Sequence, residues 1–320
     1  MRGSRAVNSS QPMMGVGRRA VAAFLTVIAG IALAGCAAPP QSGRMKVSAT
    51  IWPLADFSKN VGGDLVEVQS LIPPGANAHT YEPTPSEFTF LNQSKVFVMN
   101  GLGLETWASS VIKKAGSPGA VVVVTADAIP KSMLVKAGAY NGEKSSAGAP
   151  WDPHVWLDPA IAVFQVEAIR EGFIKADPAH RSMYEANAAA YIVRLEALDR
   201  EIMAATSKFT SRSFVALHPG WTYFSRRYGI QQAAAVEEFP EQEPSGKQIA
   251  GIVKKIKELH IKVIFAEPQI SPKAAQVIAQ EIPGTKVLFL DPLGDPAKPD
   301  VSTYIEMMRH NVAVMGEALQ

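Results

Sequence analysis

Residues 177–212 read DPAHRSMYEANAAAYIVRLEALDREIMAATSKFTSR, and the rest of the chain is organised around this stretch. After Pro178 it contains neither glycine nor proline. Its apolar residues recur three or four positions apart, at Tyr184, Ala188, Tyr191, Leu195, Leu198 and Ile202. This is the period of one face of an α-helix, and proline is favoured in a first helical turn. The stretch therefore predicts one long helix that starts at Pro178 and extends for about 40 Å or more.

Short apolar runs alternate with helical segments on both sides of this helix. Before it, Ala120–Val124 ends in four consecutive valines, which predicts a strand buried on both faces. After it, strands are predicted at Phe214–Leu217, Val263–Ala266 and Lys286–Leu290, with helices between them. Such alternation is typical of parallel sheets with crossover helices. We therefore expect an α/β fold with two βα units joined by a stiff helix.

Four short turn sequences each carry one side chain that can bind a metal. They are PGANAH (74–79), WDPHVWLDP (151–159), LHPGW (217–221) and LDPLG (290–294), with His79, His154, His218 and Asp291 as the candidate ligands. Three of the four come after a predicted strand, and His154 lies in a loop that leads into a helix. Ligands gather at the carboxyl ends of strands in open α/β sheets, so we expect a site in the cleft between the two halves. Three imidazoles and one carboxylate complete a tetrahedral zinc site with no open position.

Two further acidic residues adjoin these motifs. Glu267 follows the predicted strand Val263–Ala266 and could orient an imidazole by accepting a hydrogen bond from its second N–H. A strand-end residue exposed to water is the competing interpretation. Asp158 precedes Pro159, where a helix is expected to begin, and suits the position of an N-cap.

The N-terminal segment has the pattern of an export signal. A pair of arginines precedes an apolar run at residues 20–35, which is too short to span a membrane but suits a secretory signal. The run ends next to Cys36, the single cysteine of the chain, in a pattern that resembles a bacterial lipoprotein signal. We expect a lipoprotein signal peptide at residues 1–35, lipid on Cys36 and a flexible tether at residues 36–44. An ordinary signal peptide with an incidental cysteine is the alternative.

Composition limits the chemistry that the mature chain can perform. With Cys36 lipid-modified there is no free thiol, so any metal must be held by nitrogen and oxygen ligands. The formal net charge is +2 and no basic face is apparent, so we expect no nucleic-acid partner. The mature length suits two domains, which we divide into an N-terminal metal-binding lobe at residues 45–177, a linker helix at 178–210 and a C-terminal metal-binding lobe at 211–320.

Together the motifs resemble those of the metal-binding lipoproteins of zinc and manganese ABC importers, the cluster A-I solute-binding proteins. The matching phrases include HTYEPTP (79–85) and FAEPQ (265–269), and the resemblance covers nearly the whole mature chain. It implies two Rossmann-like βα lobes with parallel sheets, joined by one long rigid backbone helix, with one ion bound between the lobes. Carried over motif by motif, it makes His79, His154, His218 and Asp291 the ligands.

The resemblance also indicates the ion and the partners. Family members with a carboxylate at the third ligand position favour manganese, so His218 at that position favours Zn²⁺, with Mn²⁺ as the alternative. Some zinc members carry a histidine-rich loop before the second ligand, whereas residues 136–150 contain no histidine and a single acid, Glu143. The implied function is high-affinity capture of Zn²⁺ and its delivery to an ABC permease with its ATPase.

Three other functions stay open from the sequence alone. One is a manganese or iron carrier of the same family, and another is a surface adhesin. The third is a zinc hydrolase, in which Glu267 could act as general base if Asp291 were not a ligand. The chain has no His-Glu-x-x-His helix, so we expect a carrier and not an enzyme. We expect this carrier to be an exported monomer, anchored to a membrane through Cys36 and facing the periplasm or the cell exterior.

Overall fold

The structure, a computed structural model, describes residues 43–115, 117–138, 150–237 and 243–320. The predicted signal peptide at residues 1–35, the lipidation site Cys36 and most of the tether lie outside these ranges, as does most of the loop at residues 136–150. Among the described residues, no helix combines the length and the apolar character needed to cross a bilayer.

The first lobe alternates strands and helices around one parallel sheet. Its strands are β1 (Met45–Ala49), β2 (Val66–Ser70), β3 (Val96–Met99) and β4 (Val121–Val124). Its helices are α1 (Trp52–Gly62), α2 (Pro85–Gln93), α3 (Ala108–Ala115) and α4 (Pro159–Ala176). The strand order is β2-β1-β3-β4, and every pair is parallel. The carboxyl ends of all four strands therefore meet at one edge of the sheet.

The second lobe repeats this topology. Its strands are β5 (Ser213–Ala216), β6 (Gln231–Ala235), β7 (Val263–Ala266) and β8 (Lys286–Phe289). Its helices are α6 (Thr222–Tyr228), α7 (Gly246–Glu258), α8 (Lys273–Gln280) and α9 (Tyr304–Leu319). The order β6-β5-β7-β8 is again fully parallel. Two parallel sheets with interleaved helices confirm the predicted α/β fold.

The long helix that joins the lobes is α5 (Arg181–Thr206), which follows a 3₁₀ turn at Pro178–His180. Its 26 residues span about 39 Å at 1.5 Å per residue. The stripe predicted from the sequence is its buried face: Tyr184, Ala188, Tyr191, Leu195, Leu198 and Ile202. This face packs against α1, α4 and α9, so helices from both lobes share one core with the linker.

The α-helix is shorter than the linker helix predicted at residues 178–210, because it ends at Thr206. The backbone N–H groups of Thr210 and Ser211 donate to the carbonyl of Leu319, at 2.8 and 2.9 Å. Leu319 is the last residue of α9, far away in sequence. This long-range pairing turns the chain out of the helix, and local periodicity does not reveal it.

The prediction that the valine run is buried on both faces was wrong. Strand β4 lies at the edge of its sheet, and Val122 in its centre is 44% exposed. Its neighbour Val123 is buried. One face of this edge strand therefore reaches solvent at Val122.

Hydrogen bonds and ion pairs reinforce the packing between the lobes and α5. On α1, the Oδ2 atom of Asp56 accepts from the hydroxyl of Tyr191 on α5 (3.0 Å) and from the backbone N–H of Tyr304 on α9 (3.2 Å). Asp56 thus joins three helices. Because the carboxyl is buried, its pKa is raised despite these donors.

Asp158 is the N-cap of α4, as the sequence predicted, and it connects that helix to the other lobe. Its Oδ1 atom accepts from the N–H of Ala160 (2.9 Å) and lies 3.6 Å from the guanidinium of Arg227 on α6. Arg227 also forms a two-pronged ion pair with Asp199 on α5, at 2.8 and 2.6 Å. Burial raises the pKa of Asp158 to about 6, although Arg227 partly offsets this effect.

We expect replacement of Asp158 by asparagine to change how stability depends on pH. Since the folded-state pKa of Asp158 lies above the ordinary value of 3.8, the folded protein binds more protons than the unfolded chain between about pH 4 and 6. The wild type therefore loses stability as pH rises through this window. In Asp158→Asn the asparagine side chain can still cap α4, but it does not titrate. The stability of the variant relative to wild type should rise by up to about 3 kcal/mol from pH 4 to pH 7.

Urea unfolding at several pH values, with metal removed by a chelator, measures this difference. Asp300→Asn, which removes an exposed carboxylate, is the control for the loss of one negative charge. A stability difference between wild type and Asp158→Asn that does not vary with pH would contradict the prediction.

Candidate metal centre

His79 lies in the loop that follows β2. The loop turns at Gly75, which has a φ of +81°, a conformation that favours glycine. The side-chain Oδ1 atom of Asn77 accepts a hydrogen bond from the backbone N–H of His79 (3.0 Å). The backbone carbonyl of Asn77 accepts one from the backbone N–H of Tyr81 (3.0 Å). These short-range bonds hold His79 at the mouth of the cleft, where it is only partly buried.

His154 is held by an aspartate two residues before it. The Oδ1 atom of Asp152 accepts from the backbone N–H of His154 (2.9 Å) and lies 2.8 Å from its Nδ1 atom. A carboxylate at Nδ1 keeps the proton there and leaves the lone pair of Nε2 available to a metal. The sequence interpretation missed this role of Asp152, although an acid beside a candidate histidine ligand was a usable signal.

His218 comes two residues after β5, in a tight turn. The N–H of Gly220 donates to the carbonyl of His218 (2.9 Å). A Cβ atom on Gly220 would lie 3.4 Å from the ring of His154 and 3.5 Å from that of His218. The backbone of the turn therefore passes directly beside both imidazoles.

The three histidines converge although they come from distant parts of the chain. The Nε2 atom of His154 lies 3.2 Å from that of His79 and 3.1 Å from that of His218. One nitrogen from each ring falls within 4.8 Å of the other two. Metal–nitrogen bonds of about 2.05 Å give a tetrahedron with edges of about 3.3 Å. The two distances from His154 thus lie close to the spacing that a tetrahedral metal ion requires.

Burial favours the neutral form of His79 and of His218. His154 and His218 are each 5% exposed. Burial, with a smaller contribution from His154, lowers the pKa of His79 to about 3. The pKa of His218 is also lowered, mainly by burial and then by the two neighbouring histidines. A neutral imidazole retains the lone pair that binds a metal, so these two rings stay competent as ligands at neutral pH.

The histidines line a small cavity with a volume of about 20 Å³. Other residues that line it include Asn77, Trp156, Glu267 and Gln269. A space of this size holds about one water-sized body. A space of this size suits an ion that has shed most of its hydration shell.

Asp291 lies near this cavity but is not one of the clustered ligands. Within the described residues, the group of mutually close metal-binding side chains contains the three histidines alone. The Oδ1 atom of Asp291 accepts three hydrogen bonds: from Gln269 Nε2 (2.8 Å), Gly294 N (2.9 Å) and Leu293 N (3.1 Å). Its role as the fourth ligand stays a prediction.

Glu267 is buried in the cavity wall and not exposed to water. It is 4% exposed, and its Oε1 atom has no hydrogen-bond partner. Burial, together with the nearby carboxylate of Asp291, raises the pKa of Glu267 to about 8. The exposed strand-end interpretation of this residue is therefore wrong.

Trp156 connects the ligand loops of the two lobes. Its indole N–H donates to the carbonyl of Pro292, next to Asp291 (2.7 Å), and its own carbonyl accepts from the hydroxyl of Tyr304 (2.7 Å). Its ring also packs against that of His154, with centroids 5.4 Å apart. The loop with His154 and the loop with Asp291 are thus joined by a buried hydrogen bond.

Comparison with known proteins agrees with this arrangement. Residues 47–318 match the family model described as zinc-uptake complex component A, periplasmic. A putative metal-binding protein of Treponema pallidum is 32% identical, over 85% of this chain and 86% of its own length. The high-affinity zinc uptake system protein ZnuA of Bacillus subtilis is 31% identical, over 88% of this chain and 90% of its own.

A crystal structure of ZnuA has the same fold. It superposes with a TM-score of 0.76 at 30% sequence identity, and the match covers 87% of this chain and 100% of the other. Sequence and structure agree over both lobes and the helix between them. The chain therefore belongs to the family of periplasmic zinc-uptake complex component A proteins, within the cluster A-I metal-binding solute-binding proteins.

Proposed function

We propose that this protein captures Zn²⁺ between its two lobes and delivers it to the permease and ATPase of an ABC importer. The main support is the convergence of three imidazoles on one small cavity. Imidazole nitrogen is a preferred ligand of zinc, whereas manganese prefers oxygen. The names of the relatives, which refer to zinc uptake, agree with this choice of ion.

In this proposal the ion binds to the Nε2 atoms of His79, His154 and His218. Asp291 supplies the fourth donor, which closes the coordination sphere to water. The family is a solute-binding component of transport, and a closed site has no open position where a water could be activated. We therefore propose binding without catalysis.

The location of the protein follows from the same reasoning. The family is periplasmic by its description, which supports an exported protein of the cell envelope. We further propose that a lipid on Cys36 holds the protein at a membrane and that it acts as a monomer. For the domain boundaries we propose a lobe at residues 45–177, a linker at 178–210 that contains α5, and a second lobe at 211–320.

Metal competition tests the function. Purified protein, stripped of metal and then equilibrated with excess zinc and manganese in equal amounts, should retain one zinc per chain after desalting. His154→Ala should lower zinc affinity at least about tenfold, because one of the donors is lost. His310→Ala, on α9, is the matched control and should bind as wild type does.

Two outcomes would contradict the proposal in different ways. Manganese retained in place of zinc would contradict the assignment of zinc as the ion, although it would still support a metal carrier. No stoichiometric metal on the wild type would overturn the metal site altogether.

Asp152 gives a second prediction. Asp152→Ala removes the acceptor at Nδ1 of His154 and should weaken zinc binding about 10- to 100-fold, the usual effect of losing such a partner. Asp152→Asn retains an acceptor oxygen and should lose less. Chelator competition measures the affinities, and the exposed Asp127→Ala is the control. Equal affinity in Asp152→Ala and wild type would rule out this role.

A further inference from the structure

Tyr223 lies on the helix that follows the turn with His218, but its side chain packs in the first lobe. It is the second residue of α6, and Trp221, the last residue of that turn, is the N-cap of the helix. The side chain is 1% exposed and is part of a hydrophobic cluster. The other buried members of this cluster that the structure describes come from the first lobe: Ala126, Ile129, Val135, Val155 and Ile161. Tyr223 therefore anchors the start of α6 in the opposite lobe.

The hydroxyl of Tyr223 joins two stretches of first-lobe backbone. Its Oη atom accepts a hydrogen bond from the backbone N–H of Val135 (3.1 Å) and donates one to the backbone carbonyl of Asp152 (2.9 Å). The N–H of Asp152 in turn donates to the carbonyl of Val135 (2.9 Å). One hydroxyl and two backbone residues thus form a closed ring of three hydrogen bonds. The two bonds of the hydroxyl are buried, so leaving their backbone partners unpaired is costly.

Asp152 is the residue whose carboxylate holds His154. Its Oδ1 atom accepts from the backbone N–H of His154 (2.9 Å) and lies 2.8 Å from the ring atom Nδ1. The conformations open to a side chain depend on the backbone that carries it. Because the N–H and the carbonyl of Asp152 are both fixed by the ring of hydrogen bonds, its carboxylate meets His154 from a fixed base.

The hydroxyl of Tyr223 therefore connects two of the candidate metal ligands. On one side, His218 precedes Tyr223 by five residues, through the turn that contains Gly220. On the other side, the backbone and the carboxylate of Asp152 link the hydroxyl to the ring of His154. The Nε2 atoms of the two histidines lie 3.1 Å apart. This path thus relates a ligand of one lobe to a ligand of the other.

Two other side chains hold the loop of His154 in different ways. The Nδ2 atom of Asn100 donates to the loop backbone (2.8 Å) from within the first lobe. The indole of Trp156 crosses to the second lobe, but it reaches the loop that contains Asp291. The tyrosine hydroxyl instead crosses to the helix that follows His218.

We propose that Tyr223 is a positioning residue, whose hydroxyl fixes the backbone of Asp152 so that the carboxylate holds the ring of His154 beside that of His218. This inference rests on the proposed zinc function. Tyr223 acts through Asp152 and does not itself touch the ion. It makes the orientation of a first-lobe ligand depend on the helix that follows a second-lobe ligand.

Removal of one oxygen atom separates this role from simple packing. Tyr223→Phe keeps the ring in its cluster but removes the hydroxyl that bonds Val135 and Asp152. We expect zinc affinity, measured by chelator competition, to fall about 3- to 10-fold, the usual net contribution of one hydrogen bond. Tyr228→Phe is the matched control, because it removes a hydroxyl from the same helix that donates to Asp199 (2.9 Å). It should bind zinc as wild type does.

A double-mutant cycle tests the route through Asp152. In an Asp152→Ala background the carboxylate is already absent, so adding Tyr223→Phe should lower zinc affinity by less than about twofold more. If the hydroxyl acted by another route, the two losses would multiply. Thermal unfolding without metal checks that each variant folds.

A spectroscopic measurement reports on the hydrogen bond that the hydroxyl controls. In zinc-loaded protein with ¹⁵N-labelled histidine, the Nδ1 proton of His154 should have the downfield shift of a strong hydrogen bond to Asp152. The shift should decrease in Tyr223→Phe and stay unchanged in Tyr228→Phe. A general loss of packing would not act on this proton selectively.

The wild type offers a measurement that needs no variant. Coupling between two sites is reciprocal, so zinc should strengthen the hydrogen bond from the N–H of Val135 to the hydroxyl. Amide exchange at Val135 should therefore slow when zinc binds, and by more than at Met133, whose N–H bonds within its own turn to Pro130. This measurement decides the matter if Tyr223→Phe does not fold.

Each possible failure has its own signature. Wild-type affinity in Tyr223→Phe, or an equal loss in Tyr228→Phe, would overturn the role of the hydroxyl. A loss that multiplies with that of Asp152→Ala would overturn the route through Asp152, as would an unchanged Nδ1 proton of His154. Equal slowing at the two amides would also contradict the proposal. A wild type that binds no zinc would overturn the proposed function, and this inference with it.

Discussion

The indole hydrogen bond from Trp156 to the carbonyl of Pro292 joins the two lobes at the point where their ligand loops meet. A site divided between lobes can hold an ion only if the distance between those lobes is fixed. The buried face of α5 provides this constraint along the back of the molecule, and Trp156 provides it beside the cavity. The bond is buried, so water does not compete for its donor or acceptor. The geometry of the three histidines depends on both constraints.

Within this frame, each histidine is held by a different local device. A side-chain turn at Asn77 holds His79, a carboxylate holds His154, and a glycine turn at the end of β5 holds His218. The topology of the two lobes is the same, yet the ligands do not occupy equivalent places in it. His79 follows an outer strand of its sheet, whereas His218 follows an inner one. The metal centre is therefore not a product of the repeated topology, and each ligand is positioned by its own surroundings.

Much of the fold and part of the site could be predicted from the sequence, because the patterns that indicate them are local. The buried stripe of α5, the cap at Asp158 and the family follow from periodicity and short motifs, and all are confirmed. What could not be predicted depends on distant partners. The end of α5 is set by Leu319, and the exposure of Val122 depends on which strand forms the sheet edge. Likewise, Glu267 is buried because β7 lies inside its sheet, and a single strand sequence does not reveal its neighbours.

The nitrogen donors of the cavity have a consequence for the cations that are most abundant in living systems. Magnesium gives up its water reluctantly and is usually bound with several water molecules still attached. Calcium takes six to eight oxygen ligands in a wide, flexible shell. The three clustered donors of this site are ring nitrogens, whereas both of these ions prefer oxygen. The kind of donor thus works against the commonest competitors, apart from any difference in affinity among the transition metals.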